Sequence, residues 1–345
     1  MIPSTIEVIK QRTLENSLPK NRTDGYKVGL CIEGGAMRGS VSAGAGAALE
    51  LLGMRNGIDV VLGASAGAFN AAFFLANQAL YGSQIYLDHA NNRHFINVSR
   101  HLIKKKILNL EYLFDEVLSK RMPLDWASVV NSDIPFRVIA TDAIRAKSTT
   151  VPVGKTQASL FTALHATAHI PGAHGNKPIN VDGKLLWDAA LLDPFCFDIS
   201  VSEKCTHLLF LLSLPLERDR EAGLSDKYFL APYIRKFSPK LAEEYISKYS
   251  HDLDRLFTLI YRDKIPQVRA IAPPADARIP GPLTKDRSLL AQGVMVGLET
   301  VLEQFEIDME LGERIRAHVI KYLNIEIAQK QTRSRFNPAT ERLAG

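Results

Sequence analysis

The serine of Gly63-Ala64-Ser65-Ala66-Gly67 has a glycine two residues away on each side. That is the spacing of a nucleophile elbow, where a strained strand-to-helix turn holds a hydroxyl ready to attack a carbonyl. Gly63 and Gly67 must both be small, because a side chain at either would collide with the neighbouring strand or helix. The helix that follows also points N–H groups and its positive dipole end toward the reacting oxygen. A second glycine turn, Glu33-Gly34-Gly35-Ala36-Met37-Arg38-Gly39, follows another short apolar run. It departs from the dinucleotide fingerprint in spacing, and Asp59, the acidic residue at about the right distance, precedes a strand instead of ending one. Consecutive small residues can instead turn successive N–H groups toward one point, as an oxyanion hole requires. Two anion-receptive turns at the ends of adjacent strands favour acyl transfer.

A serine nucleophile needs a base. His165, His169 and His174 lie close together in the sequence, but no glutamate follows His165, so the helical zinc-protease motif is absent. These histidines are expected to be hydrogen-bonded structural residues, and no metal site is expected. A Ser, Asp, His chain order would need a later histidine, yet none of His207, His251 and His318 sits in a glycine-marked loop. The other candidate is Asp188, which closes a strand-like run and precedes two alanines that would let its carboxylate approach another backbone. Asp182 falls in Asp182-Gly183, a turn where aspartate usually satisfies local N–H groups. On residue types alone the base stays open between a histidine and Asp188.

The elements that must position these groups alternate in α/β fashion. Val28-Gly29-Leu30-Cys31-Ile32 predicts a buried strand before the first turn, and Ser40 to Leu52, rich in alanine and glycine, predicts a helix with a smooth face. Val60 to Leu62 predicts the strand before the elbow and Ala68 to Tyr81 the buried helix after it. Asn91 to Ser119 reads as an amphipathic helix, with Lys104-Lys105-Lys106 on a solvated face. Phe136 to Thr141 reads as strand, Ser159 to Ala168 as helix, Asn180 to Trp187 as a hairpin turning at Asp182-Gly183, and His207 to Ser213 as strand. Arg218 to Tyr261 is charged, helical and interleaved with aromatics, either a cap over the site or a set of peripheral helices. Ala272 to Pro282 reads as loop and Leu289 to Leu323 as helix. The expected division is an arm that packs loosely (1–26), a catalytic core (27–215), a helical part of the same domain (216–328) and a mobile tail (329–345).

Composition sets the bounds around this reading. The 345 residues are 46% apolar and 23% charged, as in a globular enzyme, and Lys plus Arg (42) exceeds Asp plus Glu (37) by only five. That excess is too small for the focused field of a nucleic-acid binder. Cys31, Cys196 and Cys205 show no paired spacing and read as buried small hydrophobes. No apolar run approaches the roughly 20 residues of a membrane span, and Met1 to Asn21 is too polar for a secretory signal, so a cytoplasmic protein is expected.

The whole set of Glu33 to Gly39, Gly63 to Gly67 and Asp188-Ala189-Ala190 resembles the patatin-like phospholipases. Their hallmarks are a G-G-x-x-[RK]-G oxyanion loop, a G-x-S-x-G elbow and a D-G-[GA] aspartate. The likeness runs from about residue 27 to 215, through Ala166-Thr167-Ala168-His169-Ile170-Pro171-Gly172. It implies a three-layer α/β/α fold with a mostly parallel central sheet, to which the C-terminal helices are added. It also implies a Ser–Asp dyad without histidine, with Ser65 as nucleophile and Asp188 as base. Gly34, Gly35 and Ala36 would supply oxyanion N–H groups, and Arg38 and Gly39 would anchor the loop. No cofactor or metal is implied, and the substrate would be a lipid or other acyl ester met at most by transient peripheral membrane contact. Alanine replaces a common glycine at Ala36 and at Ala189. Wherever φ must be positive that costs on the order of 1 kcal/mol, which keeps a silent lipid- or protein-binding relative as the alternative. A Ser-His-Asp esterase or thioesterase is the other.

Overall fold

The computed structural model describes residues 2–103, 106–217, 230–262 and 264–325, without the side chains of residues 101–103 and 248–252. The mobile tail expected from residue 329, the first two lysines of Lys104-Lys105-Lys106 and, of the aromatic run after Arg218, Tyr228, Phe229 and the side chain of Tyr249 therefore lie outside the described residues or side chains. Lys106 is exposed and pairs with Glu111.

Eight strands form one sheet: β1 (Val28–Ile32), β2 (Val60–Ala64), β3 (Phe136–Asp142), β4 (Lys147–Val151), β5 (Ile179–Val181), β6 (Lys184–Trp187), β7 (His207–Leu211) and β8 (Gln267–Ile271). Their order is β5-β6-β3-β2-β1-β7-β8, with β4 on β3. The five central strands from β3 to β8 run parallel, while β4, β5 and β6 are antiparallel additions. All five residues of β1, β2 and β7 are buried, which is why these strands read as unbroken apolar runs instead of alternating ones.

Successive side chains of a strand point to opposite faces, and here they divide between two cores. Leu30, Ile32, Val61, Val138, Leu209 and Leu211 join α1 (Thr5–Leu14), α2 (Gly39–Leu51), α3 (Ala66–Leu75), α7 (Gln157–Thr167) and α11 (Arg287–Gln304) in one. Cys31, Leu62, Ile139, Leu208 and Phe210 join α8 (Phe197–Ser202) and α10 (Pro239–Ile260) in the other. Helices on both faces of a mostly parallel sheet make the three-layer α/β/α fold. The smooth face expected of α2 packs on α11 so closely that a Cβ on Gly44 would lie 1.9 Å from the Val294 carbonyl oxygen.

Three expectations need correction. The N-terminal arm is not loosely packed: α1 starts in a Ser4/Glu7 capping box and buries Thr5, Val8, Ile9 and Arg12. Arg12, 1% exposed, reaches Asp24 and Asp59 at 2.7 Å. Asn91 to Ser119 is not one helix but a 3-10 turn at Val98–Ile103, a short helix α5 (Leu110–Tyr112) and a π-helical stretch Leu113–Arg121. Finally, the C-terminal part is not purely helical, since β8 extends the sheet from within it. Elsewhere the helical run after the elbow breaks into α3 and α4 (Ala79–Gln84), α6 (Trp126–Val130) leads into β3, and α11 and α12 (Met309–Tyr322) share the last helical stretch.

Candidate active site

β2 ends at Ala64, and Ser65 turns the chain into α3 with φ 51° and ψ −128°, a backbone that side chains rarely adopt. The turn is tight enough that a Cβ on Gly63 would come 2.5 Å from Ala68 Cα, and one on Gly67 2.1 Å from the Ile32 carbonyl oxygen. The Ser65 N–H donates to Thr167 Oγ1 at 2.8 Å, which ties the elbow to the end of α7. Thr167 carries no sequence signal for this role, because its partner lies 102 residues away.

Ser65 Oγ donates to Asp188 Oδ2 at 2.8 Å. Asp188, 1% exposed, leaves the end of β6, and its second oxygen, Oδ1, accepts the Ala190 N–H at 2.7 Å. Thr141 Oγ1 on β3 donates to the Asp188 carbonyl oxygen at 2.9 Å, and the Asp188 N–H donates to the His169 carbonyl at 3.1 Å. Burial without a cation partner pushes the Asp188 carboxyl up to about 7, against the smaller opposing effects of the Ala190 and Ser65 hydrogen bonds. Asp182 instead occupies the exposed hairpin turn with φ 50°.

The first glycine turn lies against the serine. A Cβ on Gly34 would sit 2.4 Å from the Ala64 carbonyl oxygen and 2.8 Å from Ser65 Cβ, so only glycine lets this backbone pass. Gly35 takes φ 127°, and Ala36 takes φ 52° despite its side chain. Among the described residues the N–H groups of Gly34, Gly35 and Ala36 donate to no protein acceptor. The Arg38 guanidinium lies over Gly35, about 3 Å from where a Cβ would be, and its buried Nε has no hydrogen-bond partner among the described residues. A Cβ on Gly39 would meet Tyr86 Oη at 2.5 Å. Tyr86 in turn donates to Asn70 Oδ1 at 2.9 Å, and Asn70 Nδ2 donates to the Gly39 carbonyl at 2.9 Å, an anchor the sequence reading missed.

Ser65 stands between two pockets. One, of about 630 Å³ including its open mouth, is apolar, lined among others by Met37, Phe69, Phe73, Ala90, Phe95 and Leu113. The other, of about 360 Å³, is lined by Glu33, Gly34, Gly35, Arg38, Ala190 and Pro194 among others.

None of the candidate histidines with described side chains touches the serine or Asp188 through its ring. His165, His169 and His174 cluster with one another, His207 faces the Pro3 carbonyl oxygen at 3.0 Å, and His318 stacks on Tyr322. The side chain of His251 lies outside the described residues. α9 (Ala231–Arg235) and the start of α10 pack on Trp187, Leu191 and Leu192, beside Asp188.

Residues 30–200 match the family model of the patatin-like phospholipases, a stretch that contains both glycine turns, Ser65 and Asp188. That stretch is a patatin-like phospholipase domain. The chain is also similar to the uncharacterized protein YjjU of Escherichia coli (strain K12), at 31% identity over 100 residues, which cover 28% of this chain and 27% of that protein. No helix among the described residues is long and apolar enough to cross a membrane.

Proposed function

We propose that the protein cleaves acyl esters of phospholipids or related lipids, with Ser65 as nucleophile and Asp188 as the only base. The observation that carries this reading is the 2.8 Å hydrogen bond from Ser65 Oγ to a buried carboxylate that no histidine ring among the described residues touches. A carboxylate of ordinary pKa, about 4, would be a feeble base for a hydroxyl, and burial supports the role by bringing Asp188 to about 7.

In the first half-reaction Ser65 Oγ attacks the acyl carbonyl carbon while its proton passes to Asp188. The carbonyl oxygen, now negative, meets the unpaired N–H groups of Gly34, Gly35 and Ala36, where each donor is worth roughly 10²- to 10³-fold in turnover. As the tetrahedral intermediate collapses, Asp188 returns the proton to the departing alcohol oxygen and leaves the acyl group on Ser65. Water then repeats the sequence, giving its proton to Asp188 and releasing the fatty acid and free Ser65. The apolar pocket suits the acyl chain, and the smaller pocket beside Arg38 suits the polar, anionic part of the substrate.

The test is labelling with a serine-reactive fluorophosphonate followed by peptide mapping. The adduct is expected on Ser65 and absent from Ser65→Ala. Labelling that persists in Ser65→Ala overturns the assignment, and a folded, unlabelled parent protein would make it a silent binder.

A further inference from the structure

Behind the wall of the apolar pocket the rings of His165, His169 and His174 pack against one another with centroids 4.8 to 5.5 Å apart. We propose that these three imidazoles bind a divalent transition-metal ion of the zinc type, joining α7 to the loop that follows it. Each offers one nitrogen, and the three nitrogens lie within 4.8 Å of one another. The dyad does not use them.

The hydrogen bonds set the tautomers. His174 Nδ1 lies 3.2 Å from the Leu108 carbonyl oxygen, which can only accept, so Nδ1 carries the hydrogen and Nε2 the lone pair. By the same logic His169 Nε2, 2.9 Å from the Lys177 carbonyl oxygen, carries the hydrogen, which leaves the lone pair on Nδ1. That Nδ1 is buried, on a residue only 8% exposed, and has no hydrogen-bond partner among the described residues. A backbone carbonyl holding the far nitrogen of an imidazole is the arrangement that orients a metal ligand. His165 Nε2 sits 3.0 Å from His174 Nε2 and donates its hydrogen there when no metal is bound. Moving that hydrogen to its own Nδ1 frees the third lone pair.

Size and charge agree. Zinc–nitrogen bonds of about 2.0–2.1 Å at tetrahedral angles place two ligand nitrogens about 3.3 Å apart, close to the 3.0 Å between His165 Nε2 and His174 Nε2, and one nitrogen of each ring lies within 4.8 Å of the others. Burial disfavours the charged form of all three imidazoles, in the direction that keeps ring lone pairs free for a metal. Glu111 Oε1, 4.0 Å from His174 Nε2, is within reach as an oxygen ligand. Imidazole nitrogens with one carboxylate suit zinc better than calcium or magnesium.

The ion would brace the site from behind. The His169 carbonyl accepts the Asp188 N–H, the His169 ring stacks on Trp187 at 5.2 Å, and Ala168, Ile170 and Leu108 line the apolar pocket.

The test is titration of the metal-stripped, tag-free full chain with cobalt(II), read by visible absorption and followed by zinc competition. The expected result is one saturable equivalent with the intense bands of tetrahedral coordination, bleached by zinc, together with a zinc-dependent rise in the thermal midpoint. His165→Gln and His169→Gln, checked for folding by circular dichroism, should each weaken binding by at least about tenfold. Absence of stoichiometric binding in the parent chain, or only the weak bands of octahedral surface sites, overturns the proposal whatever the variants do. So does undiminished binding in both folded variants.

Discussion

Ser65 and Asp188 are 123 residues apart in the chain and share a 2.8 Å hydrogen bond at the ends of β2 and β6. The serine holds a strained positive φ, and the aspartate is buried with its other oxygen on the Ala190 N–H. Both conditions cost stability, and both leave the pair positioned before a substrate arrives.

That cost is measurable as a pH dependence. Folding raises the Asp188 carboxyl from 3.8 to about 7, so the native state favours its protonated form. The stability this confers is complete below pH 3.8 and is lost as pH rises toward 7, a swing on the order of 4 kcal/mol. Asp188→Asn keeps an acceptor for the Ala190 N–H and places an amide against Ser65 Oγ. Denaturant unfolding should therefore show the variant gaining on the parent between about pH 4 and pH 7, with a constant advantage above. A difference that stays flat across that range would mean an ordinary carboxylate.

The two alanines that replace family glycines should respond in opposite directions. Ala36 holds φ 52°, whereas Ala189 is fully buried in a 3-10 turn and has a negative φ. Ala36→Gly should stabilise the fold by about 0.5–1 kcal/mol, and Ala189→Gly should destabilise it by about as much. Unfolding midpoints of the same sign for the two variants would contradict the assigned backbone.

The apolar pocket should read acyl length. Ala90, 3% exposed, lines it together with Ser65, and Ala90→Phe adds a ring to that space. Turnover of long-chain esters should fall at least about tenfold relative to short-chain esters, since each buried methylene displaced forfeits about 0.8 kcal/mol. An unchanged chain-length profile would place the acyl group elsewhere.

Strands β1, β2, β3 and β7, the β5–β6 hairpin and both glycine turns were legible because their signals are local: an apolar run, then residues small enough for a close approach. β4 and β8, in which polar residues break up any apolar run, were not. The burial of α1 was not, because its buried stripe of Thr5, Val8, Ile9 and Arg12 has helical spacing but two polar members. Arg12 is buried only because Asp24 and Asp59 meet it from elsewhere in the chain. Between Asn91 and Ser119 the apolar spacing suggested one helix. Asn92, Asn97 and Asn109 instead accept nearby backbone N–H groups and divide the segment into short turns. Asp188 could be singled out as a strand-ending acid, but the Thr167 and Thr141 bonds that position the pair arise from chain crossings no local pattern records.

The central claim is that Ser65 and Asp188 together hydrolyse lipid acyl esters. Its most direct measurement is fatty acid released from a mixed lipid extract, read by mass spectrometry, for the parent protein, Ser65→Ala, Asp188→Asn and Asp182→Asn. The parent and Asp182→Asn should release fatty acid at similar rates, and the other two, folded, should release almost none. Release that survives in Ser65→Ala or Asp188→Asn, or that is lost only in Asp182→Asn, would contradict the account.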